Sequence, residues 1–142
     1  MKTLWYILDE NKNPVPANNR FDAERLLLDN SRRRVALDEI IVEDYAITIT
    51  VSTVFLVLDH NHSSKGKPIL FESMIFHGEL NQSMNRYCTW KEAEKGHQKM
   101  VELVKNNLWV SRILDTVSVK TSDTKNITRK IIEGLQQELN YN

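Results

Sequence analysis

The residues equipped for chemistry in this sequence fall into small, separated groups. His60-Asn61-His62 offers two imidazoles that face the same way on an extended chain, as metal ligands would. A metal site needs a third ligand, and only His77, across a hairpin, is a candidate. Endonucleases named for that residue triplet use widely separated positions, so three adjacent letters are not their motif. The plain alternative is a polar loop whose side chains bond their own backbone. Cys88 and His97, nine positions apart at a loop-to-helix junction, are the candidate nucleophile and base, but His97 shares a helical stripe with Trp90 and Met100. A buried histidine satisfied by a hydrogen bond accounts for it more simply than a catalytic one. Carboxylates pair at Glu43-Asp44 and at Asp59 with Glu72, with no sign of the desolvation an acid catalyst needs. Glu72 interrupts an apolar strand, so it faces either solvent or a cation.

Cations form the remaining groups: Arg32-Arg33-Arg34, Lys65 and Lys67, Arg86 before Tyr87, and Arg129-Lys130. A guanidinium holds two phosphate oxygens at once and stacks on purines. Phe71, Phe76 and Tyr87 lie near these cations and have faces on which a base can stack. The competing reading is that the arginines are solvated or pair with Glu39, Glu43 and Asp44. By this chemistry the candidate ligand-binding set is Arg33, Arg34, Asp59, His60, Asn61, His62, Phe71, Phe76, Arg86, Tyr87 and Arg129. No catalytic residue, cofactor or metal is expected.

The elements that must position these groups can be read from periodicity. Leu4 to Leu8 predicts an opening strand, stopped by Asp9 to Asn13 and the Pro14-Val15-Pro16 corner. Asn19 to Leu28 predicts a short helix capped by Asn18 or Asn19. Arg33 to Val42 predicts a strand, and so does Tyr45 to Leu58, where Tyr45, Ile47, Ile49 and Val51 alternate with smaller residues. Val54 to Leu58 is apolar on both faces and is expected mid-sheet, covered on each side. Asp59 to Pro68 is a loop, Ile69 to Phe76 a return strand, and Leu80 to Asn85 a turn. Thr89-Trp90-Lys91-Glu92 fits a capping box opening a helix to about Asn106. Trp90, Ala93, His97, Met100 or Val101, and Val104 share its inner face. Leu108 to Val119 is ambiguous. A last helix from about Asp123, a possible cap, to Leu139 carries a narrow stripe of Ile127, Ile131, Leu135 and Leu139, of the kind that packs on a second subunit.

Composition narrows the functional classes. The 142 residues suit one domain, with 1–88 mainly strands plus a short helix and 89–142 mainly helical. Nineteen Lys plus Arg against nineteen Asp plus Glu give no net charge, which argues against a DNA or RNA polymer or a membrane surface as partner. The four glycines are too dispersed for a phosphate-cradling loop. One cysteine makes no internal disulfide, and no run is long and apolar enough for a signal core or a bilayer span, so a cytoplasmic setting is expected.

Ser52-Thr53-Val54-Phe55-Leu56-Val57-Leu58-Asp59-His60-Asn61, Phe71-Glu72-Ser73-Met74-Ile75-Phe76 and Arg86-Tyr87-Cys88-Thr89-Trp90-Lys91-Glu92-Ala93-Glu94-Lys95-Gly96-His97 resemble the motifs of a family of small phage proteins. Cys88 replaces the usual Ser and Ser73 the usual Thr. The likeness covers about residues 50 to 104, with Trp5 to Pro16 also similar and the last helix uncovered. That family is the first-described group of Thoeris anti-defence proteins. It comprises sponges that hold the cyclic ADP-ribose isomer made by a bacterial TIR-domain enzyme without cleaving it; related sponges also hold cyclic oligonucleotides. The elements read from periodicity are expected to form an antiparallel sheet of about four to five strands with C-terminal helices packed on it and at a subunit interface. The resemblance implies an α+β protomer, ligand pockets near subunit boundaries, and a dimer or higher homo-oligomer built partly through C-terminal helices. It implies action in the cytoplasm of an infected bacterium. It assigns no individual binding residue. Two rival functions stand beside it: a metal-dependent nucleotide hydrolase using His60, His62 and His77, and a protein-binding inhibitor that holds no small molecule.

Overall fold

The computed structural model describes residues 2–117 and 129–137. The fold is α+β, and the chain separates into two units, Met1–His97 and Gln98–Asn142.

The first unit opens with a hairpin of β1 (Tyr6–Leu8) and β2 (Pro14–Pro16). Asp9 builds its turn by accepting the amides of Asn11 and Asn13 at 2.9 and 2.8 Å. Helix α1 (Arg20–Leu28) starts where Asn19 accepts the Asp22 amide at 3.0 Å, as its sequence predicts. A sharp corner follows: Asp29 caps the short α2 (Asn30–Arg33) through the Arg32 amide, and the chain turns directly into β3 (Arg34–Val42).

Strands β3, β4 (Ile47–Phe55), β5 (Phe71–Phe76) and β6 (Met84–Tyr87) form one antiparallel sheet in that spatial order. β4 begins later than the alternation predicts, because Glu43–Tyr45 close a 3-10 turn and Ala46 takes a left-handed φ of 49° to reverse the chain. β6 falls partly within the predicted turn at Leu80 to Asn85. Its Met-Asn-Arg-Tyr sequence lacks strand alternation, and pairing with β5 alone makes it extended.

Register sorts the side chains. On one face Phe55, Phe71 and Tyr87 form a row, Thr53, Ser73 and Asn85 the next, and Val51 and Ile75 the one after. This face is covered by Ala23 and Leu26 of α1 and by the start of α3 (Trp90–Val117), whose Ala93 is fully buried. Phe71 packs at 5.2 Å between centroids on Phe55 and meets Trp90 edge-on at 6.1 Å. The predicted capping box is present: the Glu92 amide donates to Thr89 Oγ1, while Glu92 accepts the amides of Cys88 and Thr89. Gly96 is required one turn later, since a Cβ there would fall inside the Tyr87 ring.

On the opposite face the expectation that Val54 to Leu58 is covered on both sides is corrected. Val54, Leu56 and Leu58 are only half-buried, and Leu37, Ile41, Phe76 and Met84 of the same sheet stand exposed. The strand also ends at Phe55; Val57 has a φ of 70°, and the segment beyond is held by β1 through the Tyr6 amide and the Val57 carbonyl.

Helix α3 runs past the predicted end near Asn106 to Val117, resolving the ambiguous stretch as helix up to that residue. Residues 129–137 are helical, in agreement with the predicted last helix, with Ile131 exposed and Leu135 half-buried. Asp123, Ile127 and Leu139 lie outside the described residues. No described helix is long and apolar enough to cross a membrane.

Candidate functional site

The face of the sheet that no other described element covers gathers part of the predicted set. Arg34 pairs with Val54, Val54 with Glu72, and Glu72 with Arg86, so one row crosses all four strands with a guanidinium at each end. Three strand spacings separate its ends by roughly 14 Å. Arg86 Nε donates to Glu72 Oε2 at 2.9 Å, which answers why an acid interrupts an apolar strand. His60 joins this end of the row: burial pushes its imidazole below the ordinary range, and the nearby Arg86 adds to the effect against the opposing pull of Glu72. Below the row lie Leu37, Ser52, Met74 and Met84, then Glu39, Thr50 and Phe76. Cations, an imidazole and an apolar strip with an exposed aromatic ring thus share one surface.

Other predicted residues build the fold instead. Arg33 donates to the Phe55 carbonyl at 2.9 Å and the Leu27 carbonyl at 3.1 Å, tying the α1–α2 corner to the sheet. Asp59 accepts the amides of Asn61 and Ile69 at 2.7 and 2.9 Å and meets Lys2 Nζ at 3.0 Å. Burial raises its carboxyl, but these donors outweigh burial and hold it below its ordinary value. Asn61 spans the loop, donating to the Lys67 carbonyl at 2.8 Å and accepting the Ser63 amide at 2.9 Å. For Asp59 and Asn61 the plain polar-loop reading holds, leaving His60 half-buried at the sheet and His62 exposed. Phe71 is fully buried, its ring occupied by Phe55 and Trp90, and Tyr87 lies against Gly96; neither offers a face to a base. Arg129 is exposed on the helix at 129–137, in the second unit.

The predicted alternatives fare unevenly. Among the described residues, no group of His, Cys, Asp and Glu is placed to hold a metal ion, so His60, His62 and His77 are not assembled as ligands. Cys88 and His97 do not form a dyad, because both ring nitrogens of His97 are engaged elsewhere. Nε2 lies 2.7 Å from Asp38 Oδ2, and Nδ1 lies 2.7 Å from Thr53 Oγ1, which is itself 2.6 Å from Ser73 Oγ. Burial pushes the Cys88 thiol up, and Glu92 adds to the rise.

The Asp38–His97–Thr53–Ser73 chain was not anticipated beyond a buried His97. An ionised carboxylate only accepts, so Nε2 carries a proton toward Asp38; with neutral imidazole, Nδ1 then accepts from Thr53 and Thr53 from Ser73. Thr53 and Ser73 are fully buried and His97 nearly so. The hydroxyl–imidazole–carboxylate order resembles a nucleophile, base and acid, yet no substrate reaches these hydroxyls in this conformation. One signal was available in the sequence: Thr53 falls on the inward parity of Ile49, Val51 and Phe55, where a hydroxyl needs a partner.

The chain matches no protein-family model, no curated protein and no solved structure.

Proposed function

We propose that the open sheet face binds a small phosphate-bearing nucleotide of the cyclic ADP-ribose type and sequesters it intact, and that the protein acts in phage counter-defence against a TIR-produced signal. The observation that carries this reading is the cross-strand row ending in Arg34 and Arg86, with His60 beside it and Phe76 and Met84 alongside. Pyrophosphate calls for the guanidinium forks, ribose hydroxyls for the hydroxyls of Ser52 and Thr50, and adenine for the apolar strip.

A ligand lying on an open sheet retains much of its solvent-exposed surface, whereas tight sites bury most of theirs. The reading therefore includes a homo-oligomer in which a second copy closes the site, so that binding and assembly support each other. The exposed Leu37, Ile41, Phe76 and Met84 suit that closure. They equally suit a protein-binding inhibitor with no nucleotide, which is the second reading.

The test mixes the full-length protein with a TIR-produced cyclic ADP-ribose isomer, filters, heat-denatures the retained protein and analyses what is released. Depletion of the filtrate followed by recovery of unaltered nucleotide is expected. Recovery of a cleaved product would establish a hydrolase, and an undepleted filtrate would overturn the nucleotide reading in favour of the protein-binding one.

A further inference from the structure

A cleft of about 220 Å3 opens between β1 and the α1–α2 corner, lined by Ile7, Leu8, Asp22, Arg25, Leu26 and Arg32. None of these residues belongs to the open sheet face. Leu26 is buried and Ile7 and Leu8 are half-buried, giving an apolar floor, while the three charged residues stand exposed at the rim. Among the described residues, neither the Arg25 nor the Arg32 guanidinium makes a hydrogen bond or a close ion pair; Asp29 attracts Arg32 only at longer range. Asp22 and Arg25 lie one turn apart on α1, where opposite charges commonly join, yet they do not pair. Asp22 Oδ2 instead accepts from Asn19 Nδ2 at 2.9 Å.

The walls are fixed in place. Asp29 caps α2, its amide donates to the Leu26 carbonyl at 3.0 Å, and Arg33 anchors the same corner to the carbonyls of Leu27 and Phe55. A ligand entering this cleft has little backbone ordering to bring about.

We propose that this cleft binds a free α-amino acid with an apolar side chain, its carboxylate on Arg25 and Arg32, its ammonium on Asp22 and its side chain on Ile7, Leu8 and Leu26. Two guanidiniums suit a forked carboxylate. The opposite charges of an amino acid sit on neighbouring carbons, which matches an acid and a base about 5–6 Å apart between Cβ atoms on one helix face. The volume lies below the roughly 300 Å3 at which drug-sized sites begin, too small for a cyclic dinucleotide-like ligand. Asp22 also repels a dianion, which separates this cleft from the nucleotide surface. Rim charges in contact with water give modest affinity, so saturation is expected at millimolar ligand.

The test titrates the full chain with L-phenylalanine while following the methyl resonances of Ile7, Leu8 and Leu26 by NMR. N-acetylphenylalanine, phenylalaninamide and glycine serve as probes lacking the ammonium, the carboxylate and the side chain. Saturable shifts with phenylalanine are expected, about tenfold weaker with each of the other probes and in Arg25→Ala and Arg32→Ala. Asp22→Asn is expected to erase the preference for phenylalanine over its N-acetyl derivative. The amides of β4 and β5 report that each variant is folded, and Arg25→Gln or Arg32→Gln replaces any alanine variant that disturbs them. No saturable shift with phenylalanine overturns the proposal, as do equal affinities for all probes or unchanged affinity in the arginine variants.

Discussion

Gly96 shows how one missing carbon fixes the junction of helix and sheet. The Tyr87 ring occupies the space a Cβ would need, and both residues are held by packed neighbours. Gly96→Ala is expected to destabilise the fold by about 2–3 kcal/mol, since a close-packed site answers an added methyl with strain. Urea unfolding measures this, and Tyr87→Ala in the same chain should recover part of the loss relative to the sum of the single variants. Asp59 makes the matching statement in charge. Its folded-state pKa lies below the unfolded value of 3.8, so its contribution is present above that pH and is lost as pH falls through the folded value. Asp59→Asn should therefore lower the urea midpoint at neutral pH and make the decline below about pH 4 shallower. A variant declining as steeply as the parent would place the acid sensitivity elsewhere.

At the scale of elements, the row of Arg34, Val54, Glu72 and Arg86 depends wholly on register, because slipping one strand by a residue would send its members to the other face. Glu72 pairs with the Arg86 guanidinium, so the two substitutions should act in opposite directions on the proposed binding. Arg86→Ala is expected to weaken nucleotide binding about tenfold, and Glu72→Gln to strengthen it a few-fold by releasing the guanidinium; calorimetric titration distinguishes these, and weakening by both would make the pair a structural strut.

The same row marks the boundary of what sequence conveys. Caps are local: Asn19, and Thr89 with Glu92, announced α1 and α3 because each satisfies amides within a few residues. The alternation of Ile49, Val51 and Phe55 identified the inward face of β4. Non-local commitments left no such trace. Arg33 and Arg34 are neighbours of one type, yet one is spent on the carbonyls of Leu27 and Phe55 and the other stands on the open face. Asp38 meets His97 only because the sheet brings β3 under the start of α3, and β6 is a strand because β5 offers an edge to it. Among the candidate ligand residues, the cations at strand ends were legible as a group; which of them remain free required the fold.

For the whole molecule, the proposed nucleotide surface belongs to the unit Met1–His97 and the helix at 129–137 to the unit Gln98–Asn142. If that helix holds copies together, as the proposed oligomer requires, Ile131 and Leu135 are the described positions of its apolar stripe. Ile131→Glu with Leu135→Glu should lower the molar mass measured by sedimentation and weaken nucleotide retention together, because a closed site needs the second copy. A lower mass with retention unchanged would mean that one protomer suffices.

Strand β3 has a further consequence, for colloidal behaviour. It has nine residues and, among the described residues, a neighbouring strand on one side only, and Leu37 and Ile41 protrude from it. Such an edge is a template for unintended pairing between molecules. The register irregularity between Arg34 and Ala36 bends one end, while Asp38 and Glu39 place charge at the middle. Charge on an edge strand opposes pairing between molecules, and Asp38 supplies such charge while also engaging His97. Neutralising it would loosen the helix contact and remove the repulsion that keeps neighbouring edges apart, so precipitation would accompany any loss of stability.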